Sequence, residues 1–203
     1  MMRFVLATAN PDKAAEIGAV LRDSGVPVVL EPRDASAPET EETGSTLEEN
    51  ARLKATDVCE RTGLPAIADD TGLEVDALGG APGVRSARFA GEQASYADNV
   101  ELLLGRLTNV PDTERTARFA TVALARWPDG REVAALGTVE GTITTAPRGD
   151  GGFGYDPVFV PREGDGRTFA EMRPEEKHAC SHRGRAFRTL AEGLRTLVTT
   201  TEA

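Results

Sequence analysis

Two adjacent carboxylates, Asp69 and Asp70, sit in the stretch AIADDTGLEV, residues 66–75, where an apolar run gives way to Thr71-Gly72 and a second apolar run. Aspartate is a poor strand former, and neighbouring carboxylates repel each other. Two readings account for the pair. Carboxylates terminate strands by accepting hydrogen bonds from the N–H groups of the following turn. Alternatively, a dication and ammonium groups offset the repulsion and the pair carries acid–base or metal chemistry.

The ammonium groups are few. Of 23 basic residues only Lys13, Lys54 and Lys177 are lysines. Either three lysines survive by chance in an arginine-rich chain, or they mark sites that need a compact charge in place of a planar fork.

The elements that must position these groups are legible in outline. Residues 3–9, RFVLATA, read as a buried strand. A helix follows with Asn10 as N-cap, Pro11 at the first position, Ile17, Val20 and Leu21 on its apolar face, and Gly25 closing it. Asn10 to Lys13 thus lie on a strand-to-helix junction, where backbone N–H groups and the helix dipole favour an anion. Residues 31–44 form an acidic loop containing prolines. The next helix opens on a capping box, Thr46 with Glu49, and lines Leu47, Ala51, Ala55 and Val58 on one face before Gly63. Lys54 lies one residue off that stripe. AIADD is the following strand, residues 79–91 are a glycine-rich loop, and Tyr96 to Leu107 are helical. Two long strand-like runs, 115–127 and 133–145, flank a turn at Pro128-Asp129-Gly130 and predict a hairpin. A loop, 148–157, leads into the strand Val158-Phe159-Val160, and the last helix carries Phe187, Leu190, Leu194 and Val198 on one face, with the final residues expected to fray. Helices between strands plus a long hairpin indicate an α/β fold with a mixed sheet, in which ligands bind outside strand ends.

Several chemistries are excluded. No G-x-x-x-x-G-K-[ST] phosphate loop exists. Gly149, Gly151 and Gly154 spell G-x-G-x-x-G, but Pro157 and a strand follow where a dinucleotide fold needs a helix. His178 and His182 stand at i, i+4 without the glutamate of a zinc protease motif, and Ser181-His182-Arg183 reads as a helix start, leaving His178 as a surface residue. D-D-T-G differs from the D-x-D-G-T of aspartyl-phosphate phosphatases, since adjacent residues on an extended chain point to opposite faces. A net charge of −10 argues against nucleic acid or an anionic membrane as partner. No apolar run approaches the ~20 residues of a membrane span, and the short apolar N-terminal segment stops at Asn10-Pro11-Asp12, so export is not expected. Cys59 and Cys180 form no C-x-x-C pair and suggest reduced thiols in a cytoplasm.

Five blocks carry a resemblance. LATANPDKAAEI, EETGSTLEENARLKA, AIADDTGLEVDALGGAPGVRSARFAG, GGFGYDPVF and EEKHACSHRGRAF, in this order, resemble the XTP/dITP diphosphatases, relatives of inosine triphosphate pyrophosphatase. The resemblance runs from Phe4 to Leu197, and all three lysines fall inside these blocks. One departure is Pro11-Asp12, where the family often shows glycine before the lysine.

The resemblance implies a single catalytic domain over residues 1–203. Its α/β fold would have an elongated mixed sheet flanked by helices and two lobes with the active-site cleft between them. It implies hydrolysis of ITP, dITP and XTP between the α- and β-phosphates, with Mg²⁺, in a homodimer. Glu42 and Asp70 would bind metal, and Asp70 would accept the proton of the attacking water, with Lys54 in the catalytic set. Thr8, Ala9, Asn10, Pro11, Asp12 and Lys13, together with Thr71, would bind substrate, Lys13, Lys54 and Lys177 cradling the phosphates. Asp69 would orient the turn or bind metal through water. The base pocket maps to Phe153, Gly154, Tyr155 and Asp156 with Lys177, His182 and Arg183. Donors from His182 or Arg183 aimed at a 6-oxo group would leave adenine's 6-amino group facing another donor, and Phe153 could stack on the base. Against this, Phe153 and Tyr155 have a plain reading as core packing beside a glycine loop. Arg85 and Arg88 would reach phosphates or a partner subunit. Two rival readings are a pyrophosphatase preferring pyrimidines and a nucleotide-binding module without turnover; the segment SHRGRAF speaks against the first, and the complete set of candidate carboxylates against the second.

Overall fold

A computed structural model describes residues 2–201. Seven strands and five α-helices follow one another as β1 (Met2–Leu6), α1 (Pro11–Asp23), β2 (Val28–Pro32), α2 (Leu47–Thr62), β3 (Ala66–Val75), β4 (Pro82–Gly83), α3 (Tyr96–Arg106), β5 (Thr116–Arg126), β6 (Glu132–Ile143), β7 (Phe159–Pro161), α4 (Pro174–Cys180) and α5 (His182–Thr201), with short 3₁₀ turns between some of them. The chain forms two compact units. The first takes the residues up to Asp70, Thr121–Gly137 and those from Arg183 on; the second takes Thr71–Ala120 and Thr138–His182.

In the first unit β1 pairs in parallel with β2, Phe4 opposite Leu30, and with β3, Val5 opposite Ala66. Strand alternation sends successive β1 side chains to opposite faces. Phe4 and Leu6 pack with Ile17, Val20 and Leu21 of α1 and with Phe187, Leu190 and Leu194 of α5. Val5 and Ala7 pack with Ala51, Ala55 and Val58 of α2. Both faces of this sheet are therefore covered by helices, which explains why Phe4 to Leu6 of β1 and the start of β3 are continuously apolar instead of alternating. The side chain of Val198, expected on the same face of α5, lies outside the described residues, as do residues 202–203.

In the second unit β3 pairs antiparallel with β4 and β6 antiparallel with β7. Leu73, Val75, Leu103, Phe119, Ile143, Tyr155, Phe159 and Phe169 form its core. The sheet is mixed, as expected of the α/β pattern. The expected hairpin turn is observed in the first unit: Trp127 N–H donates to the Arg131 carbonyl at 2.9 Å, with Gly130 at φ 90°.

Two expectations need correction. Asp69 and Asp70 do not end a strand at a turn; β3 runs through Thr71-Gly72 to Val75 without a break. Extended backbone leaves no turn N–H groups for the carboxylates, so their partners come from elsewhere. β7 begins at Phe159, because Asp156–Val158 forms a 3₁₀ turn.

Candidate active site

The first unit gathers two of the predicted carboxylates around one predicted ammonium. Lys54 projects from α2, nearly buried, and its Nζ lies 2.7 Å from Asp70 Oδ1 and 2.8 Å from Glu42 Oε1. Local sequence sets this up. Thr46 caps α2 by accepting from Glu49 N–H at 3.1 Å, which fixes the N-cap four residues past Glu42. The Glu49 carboxylate in turn accepts from Ser45 N–H at 2.7 Å, one residue before the N-cap. Burial raises the pKa of Asp70 above the ordinary carboxylate value; the Glu42 carboxylate adds to this, against the opposing pull of Lys54 and Lys13. Lys54 is held charged: burial works against its ammonium, but Asp70, Asp69 and Glu42 outweigh it.

Asp69 points the other way. Its Oδ2 lies 3.2 Å from Lys13 Nζ and 3.4 Å from Arg183 Nη2, and Arg183 Nη1 donates to Glu16 at 2.5 Å. Burial opposes ionisation of Asp69, yet Lys13, Arg183 and Lys54 together hold its carboxyl well below the usual range. Adjacent aspartates therefore experience opposite environments, one clamped between cations and one left more basic than normal.

At the start of α1 the Asn10 side chain accepts from the N–H groups of Asp12 and Lys13 at 2.9 and 3.1 Å. Pro11 has no N–H, and the Asn10 carbonyl takes that of Ala14 at 3.0 Å. The helix N-terminus is self-capped, which leaves the Lys13 side chain to supply positive charge at this junction. Thr8, Ala9, Asn10 and Pro11 line a cavity of about 770 Å³ together with α1, β2 and the loop after it.

The second unit assembles the other predicted residues. Lys177 Nζ donates to Asp156 Oδ2 at 2.5 Å and lies 4.8 Å from the centre of the Phe153 ring. The same Asp156 oxygen accepts from Phe153 N–H at 2.8 Å. Gly152, at φ 67°, permits this tight loop, since a Cβ there would run into the Asp156 carboxylate. Phe153 is half-buried and tilts against Tyr96, their centroids 5.9 Å apart. Phe153 and Gly154 line a cavity of about 760 Å³ with Tyr96. Tyr155, by contrast, is a core residue whose hydroxyl donates to the Ser86 carbonyl at 2.9 Å. His182 is buried and stacks on Phe119 at 4.3 Å with an interplanar angle of 15°. His178 and His182 fall on different helices, α4 ending at Cys180 and α5 opening at His182. His178 is half-buried and not a fully exposed surface residue. Thr71 follows Asp70 directly in β3. Arg85 is exposed, and Arg88 lies 3.6 Å from Glu92.

Two residues here escape sequence reasoning. Glu16 is buried on α1 against Arg183, and Asn50 is buried on α2 beside Asp70. The available signal for Asn50 was its i, i+4 spacing to Lys54 on one helix face.

The donor set around Lys54 suits a hard dication. Glu42 and Asp70 offer only oxygen and share one ammonium, so both lie within a few ångström of a common point. Among the described residues no group of three or more His, Cys, Asp or Glu side chains could hold a metal by itself. That is compatible with an ion that keeps several waters and takes further oxygens from a substrate phosphate.

The fold and these clusters are those of a mixed α/β protein with an acid–lysine centre, and solved structures share that fold. A HAM1 protein from Coxiella burnetii matches with a TM-score of 0.86 at 42% identity, over 97% of this chain and 100% of that one. The model of the Ham1 family matches residues 4–193, and the chain belongs to that family. The dITP/XTP pyrophosphatase of Streptomyces coelicolor is 49% identical over 200 residues, 98% of this chain and 100% of its own length. The dITP/XTP pyrophosphatase of Shigella flexneri is likewise 49% identical, over 96% and 99% of the two chains.

Proposed function

We propose that this chain is a nucleoside triphosphate pyrophosphohydrolase that converts dITP, ITP and XTP to the monophosphate and pyrophosphate, clearing deaminated purines from the nucleotide pool. The whole chain would act as one catalytic domain. The observation that carries the reading is the Lys54 ammonium shared by Asp70 at 2.7 Å and Glu42 at 2.8 Å, in a member of a family whose relatives are named for this activity.

Asp70 is the proton acceptor. Its raised pKa makes it a better base than an ordinary carboxylate. The oxygen of the attacking water bonds to the α-phosphorus, its proton passes to Asp70, and the bond from the α-phosphorus to the α–β bridging oxygen breaks, releasing pyrophosphate. Glu42 and Asp70 would hold Mg²⁺, which when bound neutralises charge on the polyphosphate. Lys13 and Lys54, with Thr8 to Asp12 and Thr71, bind the phosphates, and the local ammonium charge is needed because the chain carries −10 overall.

Phe153, Gly154, Asp156 and Lys177 recognise the base, Phe153 by stacking. Tyr155 and His182 support that recognition by packing in the second unit, Tyr155 through its hydroxyl on the Ser86 carbonyl and His182 through its stack on Phe119, and Arg183 completes the proposed set. The protein is proposed to be a cytoplasmic homodimer that binds no nucleic acid; no helix among the described residues is long and apolar enough to cross a membrane.

A panel of dITP, XTP, ITP, ATP, GTP and pyrimidine triphosphates with Mg²⁺, read by product identity, tests the reading. Pyrophosphate from dITP and XTP with little from ATP and GTP is expected. Orthophosphate release, or preference for a pyrimidine, would overturn it.

A further inference from the structure

The two carboxylates around Lys54 come from segments far apart in sequence, Glu42 in the loop before α2 and Asp70 in β3. An ammonium alone is a poor spacer, because Lys54 sits on a flexible four-carbon stem and is also wanted by phosphate. A second, rigid connection exists. Asn50 is fully buried one turn before Lys54 on α2. Its Nδ2 donates to Asp70 Oδ2 at 3.3 Å, and its Oδ1 accepts from Gly44 N–H at 2.8 Å. The amide has one chemically sensible orientation, since only its oxygen can meet an N–H and only its nitrogen a carboxylate.

Asn50 and Lys54 thus form a bracket. Each meets a different oxygen of Asp70, Oδ2 and Oδ1. Each also reaches the Glu42–Gly44 segment, Lys54 through the Glu42 side chain and Asn50 through the Gly44 main chain. Gly44 is fitted to this contact: a Cβ there would lie 2.6 Å from Asn50 Oδ1 and 3.0 Å from its backbone nitrogen. A side chain at residue 44 would push the loop away from Asn50, and with it Glu42.

We infer that Asn50 is a positioning residue that fixes the spacing of Glu42 and Asp70 for a divalent cation, by clamping the Gly44 main chain and the Asp70 carboxylate with opposite ends of one amide. It keeps the carboxylates in register whichever partner Lys54 takes. This rests on the reading of Glu42 and Asp70 as metal ligands given above. Partners of ligating carboxylates in other metalloproteins change metal affinity by roughly 10- to 100-fold when removed.

The test is a calorimetric titration of the full chain with Mn²⁺, without nucleotide, for the wild type, Asn50→Leu, Gly44→Ala and the double variant, with thermal melts as a check on folding. Asn50→Leu is expected to weaken Mn²⁺ binding about tenfold or more. Gly44→Ala, which disturbs the same contact from the other side, should weaken it similarly even if Asn50→Leu folds poorly, and the double variant should lose little more than either alone. Wild-type Mn²⁺ affinity in both single variants, fully additive losses, or no Mn²⁺ binding by the wild type would each overturn the inference. The nucleotide panel is a separate readout: normal turnover with unaltered Mn²⁺ affinity in the variants sinks the clamp but not the activity, whereas weakened Mn²⁺ binding in a chain that ignores dITP and XTP sinks the activity but not the clamp.

Discussion

Asp69 and Asp70 are consecutive on β3, yet each meets a different lysine: Asp69 lies 3.2 Å from Lys13 and Asp70 lies 2.7 Å from Lys54. The pleat of an extended strand separates the two side chains, and the helices α1 and α2 each bring one ammonium. The repulsion expected of neighbouring carboxylates is thereby divided between two cation sites. One of the pair is a fixed anion and the other is poised to take a proton.

That difference predicts opposite stability effects. The folded pKa of Asp69 is lowered, so its contribution to stability is present above the unfolded value near pH 4 and is lost as pH falls from there. The folded pKa of Asp70 is raised, chiefly by burial, so ionised Asp70 destabilises the metal-free protein at pH 7, and this penalty fades as pH falls through the folded pKa toward the unfolded one. Asp69→Asn should therefore melt lower than wild type at pH 7 in EDTA, while Asp70→Asn melts at the same temperature or higher and has no turnover. Two equal losses of stability would contradict this.

Arg183 makes the larger structural demand. It is almost fully buried between Glu16 and Asp69, and removing one partner of a buried ionic group leaves the others uncompensated. Arg183→Leu is expected to destabilise by about 3 kcal/mol, a fall in melting temperature of roughly 6 °C or more for a chain of this size. Differential scanning calorimetry measures it, and a shift under a degree would show that the Arg183 guanidinium is dispensable to the fold.

Much of the fold was legible because local chemistry and tertiary structure agree. Asn10 and Pro11 start α1 as expected, Gly63 ends α2 at φ 69°, and Pro128 to Gly130 turn the hairpin. Asp-Asp-Thr-Gly has turn chemistry, yet β3 stays extended through it; what keeps it extended is pairing with β4, Leu73 opposite Gly83, and cations supplied from α1 and α2. Neither is visible from local sequence. The strand β2 carries no alternation that marks it locally, whereas α4 does carry a helix-start signal, Pro174 followed by Glu175 and Glu176. In the site, ionic residues stood out by type, while Glu16 and Asn50 did not, because their roles depend on which distant group packs against them.

Phe153 tests the base-binding proposal. Its ring is half-buried, outside the core of the second unit, and borders a cavity. Base–aromatic stacking is worth about 1–3 kcal/mol, so Phe153→Ala should raise KM for dITP roughly 5- to 150-fold with little loss of melting temperature. Steady-state kinetics with an unaltered KM would return Phe153 to a packing role.

Lys54→Met removes the ammonium that Glu42 and Asp70 share. Loss of one preorganised electrostatic partner typically lowers kcat by about 10²- to 10³-fold. A kcat within twofold of wild type under saturating dITP would exclude Lys54 from the catalytic set.

The central claim is attack of water at the α-phosphorus, with Asp70 taking the proton. Hydrolysis of dITP in ¹⁸O-labelled water, followed by mass spectrometry of both products, tests it most directly. The label is expected in dIMP, with unlabelled pyrophosphate; label in pyrophosphate, or labelled orthophosphate as the product, would contradict the account.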